Sequence, residues 1–123
     1  MSEQRRTVGK AGEEAAVQYL LQRGYHILQR NYRCRFGEID LIAQDGSTLA
    51  FIEVKTRRSQ KFGPAAAAVT LQKQRHLVKA SQVYLIRERK AYELCRFDVV
   101  TIELDALTPH IELIKNAFQA ASD

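Results

Sequence analysis

Two carboxylates and a lysine stand inside two apolar segments of this 123-residue chain. Asp40 lies in GEIDLIA at residues 37–43, and Glu53 and Lys55 lie in LAFIEVK at residues 49–55. A charge buried in a strand without a partner is strongly destabilising. Neighbouring carboxylates are ligands for Mg²⁺ or Mn²⁺, and a lysine beside them can stabilise charge that develops on a phosphate. We therefore predict a catalytic group of Asp40, Glu53 and Lys55.

The two segments must pair for these residues to meet. An Asp-Gly pair separates them and predicts a β-hairpin with a type I′ turn, because that turn needs positive φ. Strand alternation puts Glu53 and Lys55 on one face. A two-residue loop pairs Asp40 with position 51, and a four-residue loop pairs it with Glu53. Either register leaves Asp40 on the face of Glu53 and Lys55, with Cβ atoms about 5–8 Å apart.

A third carboxylate is predicted on the first helix. Apolar residues recur at helical spacing from about Val8 to Arg23, and Gly24 provides the C-terminal stop. Glu13 stands one turn before Ala16 and so points towards the buried face, whereas Glu14 points away. The alternative for Glu13 is an acid near the helix N-terminus that stabilises the helix dipole.

The interval from Asp40 to Glu53-Val54-Lys55 resembles the D…ExK motif of the PD-(D/E)xK nuclease superfamily. The segments GEIDLIA and FIEVKTR are also similar to the uncharacterised bacterial YraN family, which looks related to the archaeal Holliday-junction resolvases. This resemblance covers residues 7–104. The proline that precedes the aspartate in the nominal motif is absent, and Ile39 takes its place.

The resemblance implies a bound metal ion, Mg²⁺ or Mn²⁺. Its expected ligands are Asp40, Glu53 and Glu13, because junction resolvases place a glutamate of the first helix beside the metal. Glu14 is the alternative on that helix. Glu38 shares the predicted face of Asp40 and is either a further ligand, a partner of a ligand, or the partner of an arginine such as Arg35.

The remaining elements complete an αβββαβ order. We expect a strand over residues 26–35, a helix over 65–87 with Thr70 as N-cap, a strand over 94–104 and a short edge strand over 110–115. This order resembles a restriction-endonuclease-like core: an α/β fold with a mixed central sheet flanked by helices. Residues 1–123 form one nuclease-like domain, with flexible ends at 1–6 and 117–123. On the second helix, Leu71, Val78, Ser81 and Leu85 are predicted to face the sheet.

The charge balance favours a polyanionic partner. Lys and Arg total 19 against 14 Asp and Glu, a net charge of +5 with a pI near 9.4. Cations lie near aromatic residues in the first strand and in a basic loop after Lys55, and the resemblance adds one on the second helix. The candidate nucleic-acid contacts are Arg33, Arg35, Arg57, Arg58, Lys61 and Lys73.

Other classes are disfavoured. Cys34 and Cys95 are far apart and lack clustered histidines, so neither a disulfide framework nor a zinc site is indicated. No apolar run approaches the roughly 18 residues of a membrane span. We expect a cytoplasmic protein with no membrane partner. Because 123 residues leave little surface to hold a duplex, we also expect a homodimer or a partner protein.

The first functional hypothesis is therefore a metal-dependent endonuclease acting on DNA rather than RNA, branched DNA included. The alternative is a non-catalytic nucleic-acid-binding module on the same fold. A third reading is a structural domain in which Lys55 and Glu53 form an internal salt bridge. The joint presence of three charges in apolar strands favours the enzyme, because a structural domain gains little from them.

Overall fold

The computed structural model describes residues 3–57, 69–90, 94–104 and 110–120. Helix α1 spans Glu3–Gln22 and helix α2 spans Leu71–Arg87. The strands are β1 (His26–Cys34), β2 (Gly37–Asp45), β3 (Thr48–Arg57), β4 (Leu94–Glu103) and β5 (His110–Phe118). The predicted element order and α/β class are confirmed.

The five strands form one sheet in the order β1-β2-β3-β4-β5. Neighbouring strands are antiparallel except β3 and β4, which run parallel. Parallel neighbours require a crossover connection, and α2 lies within it. The sheet is therefore mixed, as predicted, and the architecture is compatible with a restriction-endonuclease-like core.

The helices cover opposite faces of the sheet. Helix α1 buries Ala16, Val17 and Leu20 in one hydrophobic cluster. Helix α2 buries Leu77, Ala80 and Tyr84 in the other. Successive residues of the central strand β3 alternate between the two clusters, because strand side chains point to alternate faces. Each charged residue of β3 can thus be assigned to one face.

The buried stripe of α2 differs from the predicted one. Leu71 is 68% exposed, so its predicted contact with the sheet is wrong. The buried residues include Ser81, as predicted, and Tyr84, whose ring contacts Tyr32 and Phe51 edge-on at centroid distances of 5.3 and 5.9 Å. That large ring turns the helix by about one position relative to the predicted stripe. Val78 and Leu85 are partly buried.

Thr70 is the predicted N-cap, and this is confirmed. Its Oγ1 accepts a hydrogen bond from the Lys73 backbone N–H at 3.1 Å. The first turn of α2 is therefore fixed by its own sequence. Residues 65–68, which were predicted to belong to this helix, lie outside the described residues.

The described helix and strand extend into both terminal segments that were expected to be flexible. Helix α1 begins at Glu3, inside the segment expected to be flexible. Strand β5 continues past residue 115 to Phe118, whose ring stacks on Phe97 at 5.0 Å. This aromatic contact explains why the strand extends into the predicted flexible tail.

The β2–β3 hairpin has the second predicted register, but its loop is the two residues Gly46 and Ser47 instead of the four predicted for that register. Leu41 pairs with Ile52 and Asp45 pairs with Thr48, which sets Asp40 opposite Glu53. Only Gly46 of the two loop residues has a positive φ, 62°, as in a type II′ turn. The predicted type I′ turn is wrong because Asp45 still belongs to the ladder. Within the described residues, no helix has the length and apolar character needed to cross a membrane.

Candidate metal centre

Asp40 lies where the regular strand pattern is interrupted. Ile39 packs in the cluster under α2, whereas Leu41 packs in the cluster under α1. In a regular strand, residues two apart share a face, so β2 reverses its faces at Asp40. On β1 the pairs Arg30–Leu41 and Tyr32–Ile39 flank the same point.

Between those pairs lies Asn31, which has a left-handed backbone with φ of 53°. β1 reverses its faces there too: Arg30 reaches Glu14 on α1, whereas the Tyr32 ring contacts Tyr84 on α2. Asparagine accepts positive φ more readily than most residues. The paired reversal at Asn31 and Asp40 therefore has a local cause in the sequence.

Because of the reversal, the Asp40 side chain can contact β3. The β2–β3 ladder ends at Leu41 and Ile52, and Asp40 Oδ2 accepts a hydrogen bond from the Val54 backbone N–H at 2.8 Å. A carboxylate thus satisfies a donor that a regular ladder would pair with a carbonyl. Asp40 is held at the gap between the two strands.

Three carboxylates converge at this gap. Glu13 of α1 and Glu38 and Asp40 of β2 each present an oxygen atom, and these atoms all lie within 4.8 Å of one another. We call these three residues the acidic cluster. Oxygen atoms at this spacing suit one hard divalent cation. The predicted ligands Asp40 and Glu13 are thus brought together, with Glu38 as the third member.

Gly12 lets α1 approach the sheet closely enough to deliver Glu13. A Cβ atom on Gly12 would overlap Thr56 Oγ1 and would lie 3.3 Å from Thr56 Cβ. Only glycine leaves that space open. The Gly12-Glu13 pair therefore combines a close approach with an inward carboxylate.

Asn31 joins two members of the acidic cluster. Its Nδ2 donates to Glu13 Oε1 at 3.1 Å and Oε2 at 3.3 Å, and to Glu38 Oε1 at 2.6 Å. Arg33 Nε lies 3.5 Å from the other Glu38 oxygen. Sequence reasoning missed Asn31. Its signal was an asparagine inside a strand, where this residue type is depleted.

Glu53 approaches Asp40 from the α2 face. It is 4% exposed, and its carboxylate lies close enough to Asp40 to raise the pKa of that residue. Lys73 Nζ of α2 lies 3.4 Å from Glu53 Oε2, an ion-pair distance, yet that oxygen makes no hydrogen bond. Lys73 and Glu53 are therefore in ion-pair contact without a hydrogen bond, and Glu53 Oε2 can still accept one. Glu53 stands beside the acidic cluster rather than inside it.

Burial sets the protonation of the site. The pKa of Asp40 is raised to about 8, chiefly by burial and then by Glu53, through hydrogen bonding and its negative charge. Burial also raises the pKa of Glu13, and the hydrogen bond from Asn31 opposes that shift. Without a cation, burial and Glu53 thus favour the protonated form of Asp40.

Lys55 is half-buried on β3, two residues after Glu53 and on the same face by strand alternation. In the parallel ladder it is opposite Thr101. Within the part of the chain that the structure describes, Lys55 forms no ion pair. The alternative in which Lys55 neutralises Glu53 in a salt bridge is therefore wrong for these residues, because Lys73 makes that contact.

The predicted nucleic-acid contacts fall into separate groups. Arg33 and Arg35 are exposed at the β1–β2 turn, and the Arg35 guanidinium lies 4.7 Å from the Phe36 ring centroid. Lys79 of α2, which the sequence reasoning did not select, lies 5.6 Å from the same ring. Together these residues form an exposed basic surface.

The other predicted contacts have different surroundings. Arg57 was expected in a loop but lies in β3, where it pairs with the buried Glu103 at 3.3 Å. Lys73 pairs with Glu53. Arg58 and Lys61 lie outside the described residues.

A second buried carboxylate shows a contrasting environment. Asp98 accepts two hydrogen bonds from Arg96, at 2.8 and 2.9 Å, and one from the Asn116 backbone N–H at 2.9 Å. Both of its oxygen atoms are thus used by protein donors. Asp98 thus has a structural role, and it differs from Glu53, which retains an unsatisfied buried oxygen.

The fold and the site define an α/β protein whose mixed sheet carries a carboxylate group at a break between two strands. The chain belongs to the uncharacterised protein family UPF0102, whose family model matches residues 12–102. The predicted resemblance to the YraN-type family is confirmed.

Relatives match over nearly the whole chain, and all three compared here are named only as UPF0102 proteins. A protein of Caldicellulosiruptor saccharolyticus is 47% identical over 116 residues, 93% of this chain and 98% of its own. One of Geobacter metallireducens is 47% identical over 121 residues, 98% and 99% of the two chains. One of Syntrophus aciditrophicus is 51% identical over 113 residues, 92% and 89%.

Proposed function

We propose that this protein is a Mg²⁺- or Mn²⁺-dependent phosphodiesterase that cuts DNA internally. The observation that carries the proposal is the convergence of Glu13, Glu38 and Asp40, with oxygen atoms within 4.8 Å of one another. Glu13 comes from α1, where Gly12 leaves room for the close approach to Thr56 of β3, and Glu38 and Asp40 come from β2. The D…ExK pattern adds Glu53, which lies beside Asp40, and Lys55, which shares the face of Glu53.

The residues fit a hard divalent cation. All the donors are carboxylate oxygens, which such ions prefer. Four carboxylates, including Glu53, meet with two cations in ion-pair contact, Lys73 and Arg33, so carboxylates outnumber cations among the described side chains. Glu53 Oε2 is buried without a hydrogen bond. An unpaired buried acceptor destabilises the folded state unless another group, such as a cation, binds to it.

In this proposal the acidic cluster and Glu53 hold the cation. When bound, the cation activates a water molecule and neutralises charge on the scissile phosphate. Asp40 is fixed by the Val54 N–H and must release its proton on binding. Lys55, on the face of Glu53, stabilises negative charge that develops on the phosphate. Lys73 holds Glu53 in place.

The basic surface supports a nucleic-acid substrate. Arg33 and Arg35 lie at the turn into β2, and Asp40 follows Phe36 by four strand residues, or roughly 13 Å at strand spacing. Lys79 reaches the same Phe36 ring. Cations beside an aromatic ring suit phosphate and base contacts. A DNA strand held at this turn would pass close to the acidic cluster.

A non-catalytic DNA-binding module remains the second candidate, and one observation favours it. Asn31 and Lys73 already give Glu13, Glu38 and Glu53 partners within the protein. A binding module could therefore keep these carboxylates for structure alone. In that case DNA would bind without being cut.

A cleavage assay separates the two candidates. The purified protein is incubated with duplex, junction and single-stranded DNA and with RNA, in Mg²⁺, Mn²⁺ or EDTA. We expect metal-dependent cuts in DNA that disappear in Asp40→Asn and Glu53→Gln. Lys55→Ala should lose about 10²–10³-fold in rate, as expected for loss of one stabilising charge. Glu112→Gln, at an exposed position of β5, is the matched control. Binding without cutting under every condition would favour the module.

A further inference from the structure

We propose that Asn31 is a positioning residue that aligns Glu13 and Glu38 for a divalent cation without neutralising them. This inference rests on the proposed metal site. It assigns to Asn31 a role that neither the D…ExK pattern nor the family match contains.

The hydrogen bonds of Asn31 define the spacing of two ligands. One nitrogen atom, Nδ2, donates to both oxygens of Glu13, at 3.1 and 3.3 Å, and to Glu38 Oε1 at 2.6 Å. An amide nitrogen has two N–H groups, so one serves each carboxylate. Because carboxylates only accept, the opposite amide orientation would place oxygen against oxygen. Glu13 and Glu38 are thus held on the two sides of one nitrogen atom.

The backbone places this amide between the two glutamates. Asn31 has φ of 53°, at the point where β1 reverses its faces. A residue with ordinary strand geometry would direct its side chain to one face of the sheet. Asparagine combines tolerance of positive φ with a short donor side chain. Both properties are needed at position 31.

Neutrality distinguishes Asn31 from its neighbours. Arg30 donates to Glu14 at 2.8 Å, and both side chains are exposed on the outer side of α1. Arg33 reaches Glu38 only at 3.5 Å, with 80% of its side chain exposed. The closest donor to the cluster is therefore an uncharged amide. A carboxylate offers about four acceptor sites, so the amide leaves sites for a cation as well as the full negative charge.

The test is the affinity for Mn²⁺, measured by calorimetric titration without DNA. Asn31→Gly removes the amide but keeps a residue that accepts positive φ. Asn116→Gly is the matched control, because Asn116 also has positive φ, 54°, and lies on β5. We expect Asn31→Gly to weaken Mn²⁺ binding by about 10–100-fold, as for residues that orient metal ligands. Asn116→Gly should bind like the wild type.

A mutant cycle shows whether Asn31 acts through the glutamates. Once Glu38→Gln has removed one of its partners, Asn31→Gly should cost clearly less Mn²⁺ affinity than it does in the wild type. All titrations are run well below the melting temperature of the least stable variant, with circular dichroism to verify folding. If Asn31→Gly matches Asn116→Gly, or if the two effects add without coupling, the positioning role is wrong. A wild type with no affinity for Mn²⁺ would overturn the proposed metal site as well.

Discussion

The Val54 backbone N–H donates a hydrogen bond to Asp40 Oδ2 across 2.8 Å, at the point where β2 and β3 stop pairing. A side-chain oxygen here takes the donor that a backbone carbonyl takes elsewhere in the ladder. The bond favours the ionised carboxylate, yet burial and Glu53 outweigh it and raise the pKa of Asp40 to about 8. The negative charge on Asp40 therefore needs another group, such as a bound cation, to stabilise it.

The stability of the metal-free protein should fall as pH rises. The pKa of Asp40 is raised from 3.8 to about 8, so between these values the folded state binds a proton that the unfolded state has released. The stabilisation is complete below pH 4 and is lost as pH rises to 8. The Asp40→Asn side chain cannot lose a proton. As pH rises across this window, the free energy of unfolding of this variant should therefore increase relative to that of the wild type. Urea unfolding in EDTA at pH 5 and pH 8 measures the difference, and a constant difference would contradict the assignment.

Mn²⁺ should raise the melting temperature of the wild type. A ligand that binds only the folded state stabilises it by about 2.7 kcal/mol at one hundred times its dissociation constant. The response should be larger at pH 8 than at pH 6, because binding requires Asp40 to lose its proton. Asp40→Asn should lose most of the response, and Glu112→Gln should keep it. Equal increases in melting temperature in all three proteins would show that the ion binds elsewhere.

Gly12→Ala should damage both the packing and the site. The new methyl group would overlap Thr56, and such overpacking costs about 1–3 kcal/mol. If α1 moves away to relieve the overlap, Glu13 moves with it and Mn²⁺ affinity falls. Gly9→Ala is the control in the same helix, because nothing lies within 4 Å of its added Cβ. Alanine there should be neutral or slightly stabilising. A stable Gly12→Ala protein with normal affinity would show that close approach is unnecessary.

DNA binding should depend on Arg35 and Lys79 rather than on Arg57. Removing both exposed cations should weaken binding to all sequences and flatten its salt dependence, because phosphate contacts release counterions. Arg57→Ala should instead lower stability, because Glu103 would stay buried without this cation. Filter binding across a salt series and thermal melts measure the two effects. An unchanged salt slope for Arg35→Ala/Lys79→Ala would move the DNA surface elsewhere.

Local patterns account for the parts of the fold that the sequence predicts correctly. Thr70 caps α2 through a contact within one helical turn, and apolar runs around a turn define the β2–β3 hairpin. The pairing of Asp40 with Glu53 was one of two registers that this pattern allowed. Each of these features depends on residues close together in the chain.

The site depends on contacts between distant segments, and for that reason its details were missed. Strict alternation treats β2 as regular, so it does not predict the reversal at Asp40 or the matching one at Asn31. Lys73 was predicted as a DNA contact, and the sequence did not indicate that tertiary packing also sets it beside Glu53. Glu38 joins Glu13 through the packing of α1 on the sheet, and strand periodicity carries no information about that packing.

Because Asp40 lies in the gap of the sheet, it links chemistry on two faces. Burial dominates the pKa values of both Asp40 and Glu13, but Lys73 on the α2 side lowers that of Asp40, and Asp40 raises that of Glu13 on the α1 side. If a phosphate drew Lys73 away from Glu53, the proton affinities of Asp40 and Glu13 would change. Their affinity for a cation would change with them. Thermodynamic reciprocity then requires the cation to change phosphate binding by the same factor. The two ligands would then influence each other through the charge of one aspartate.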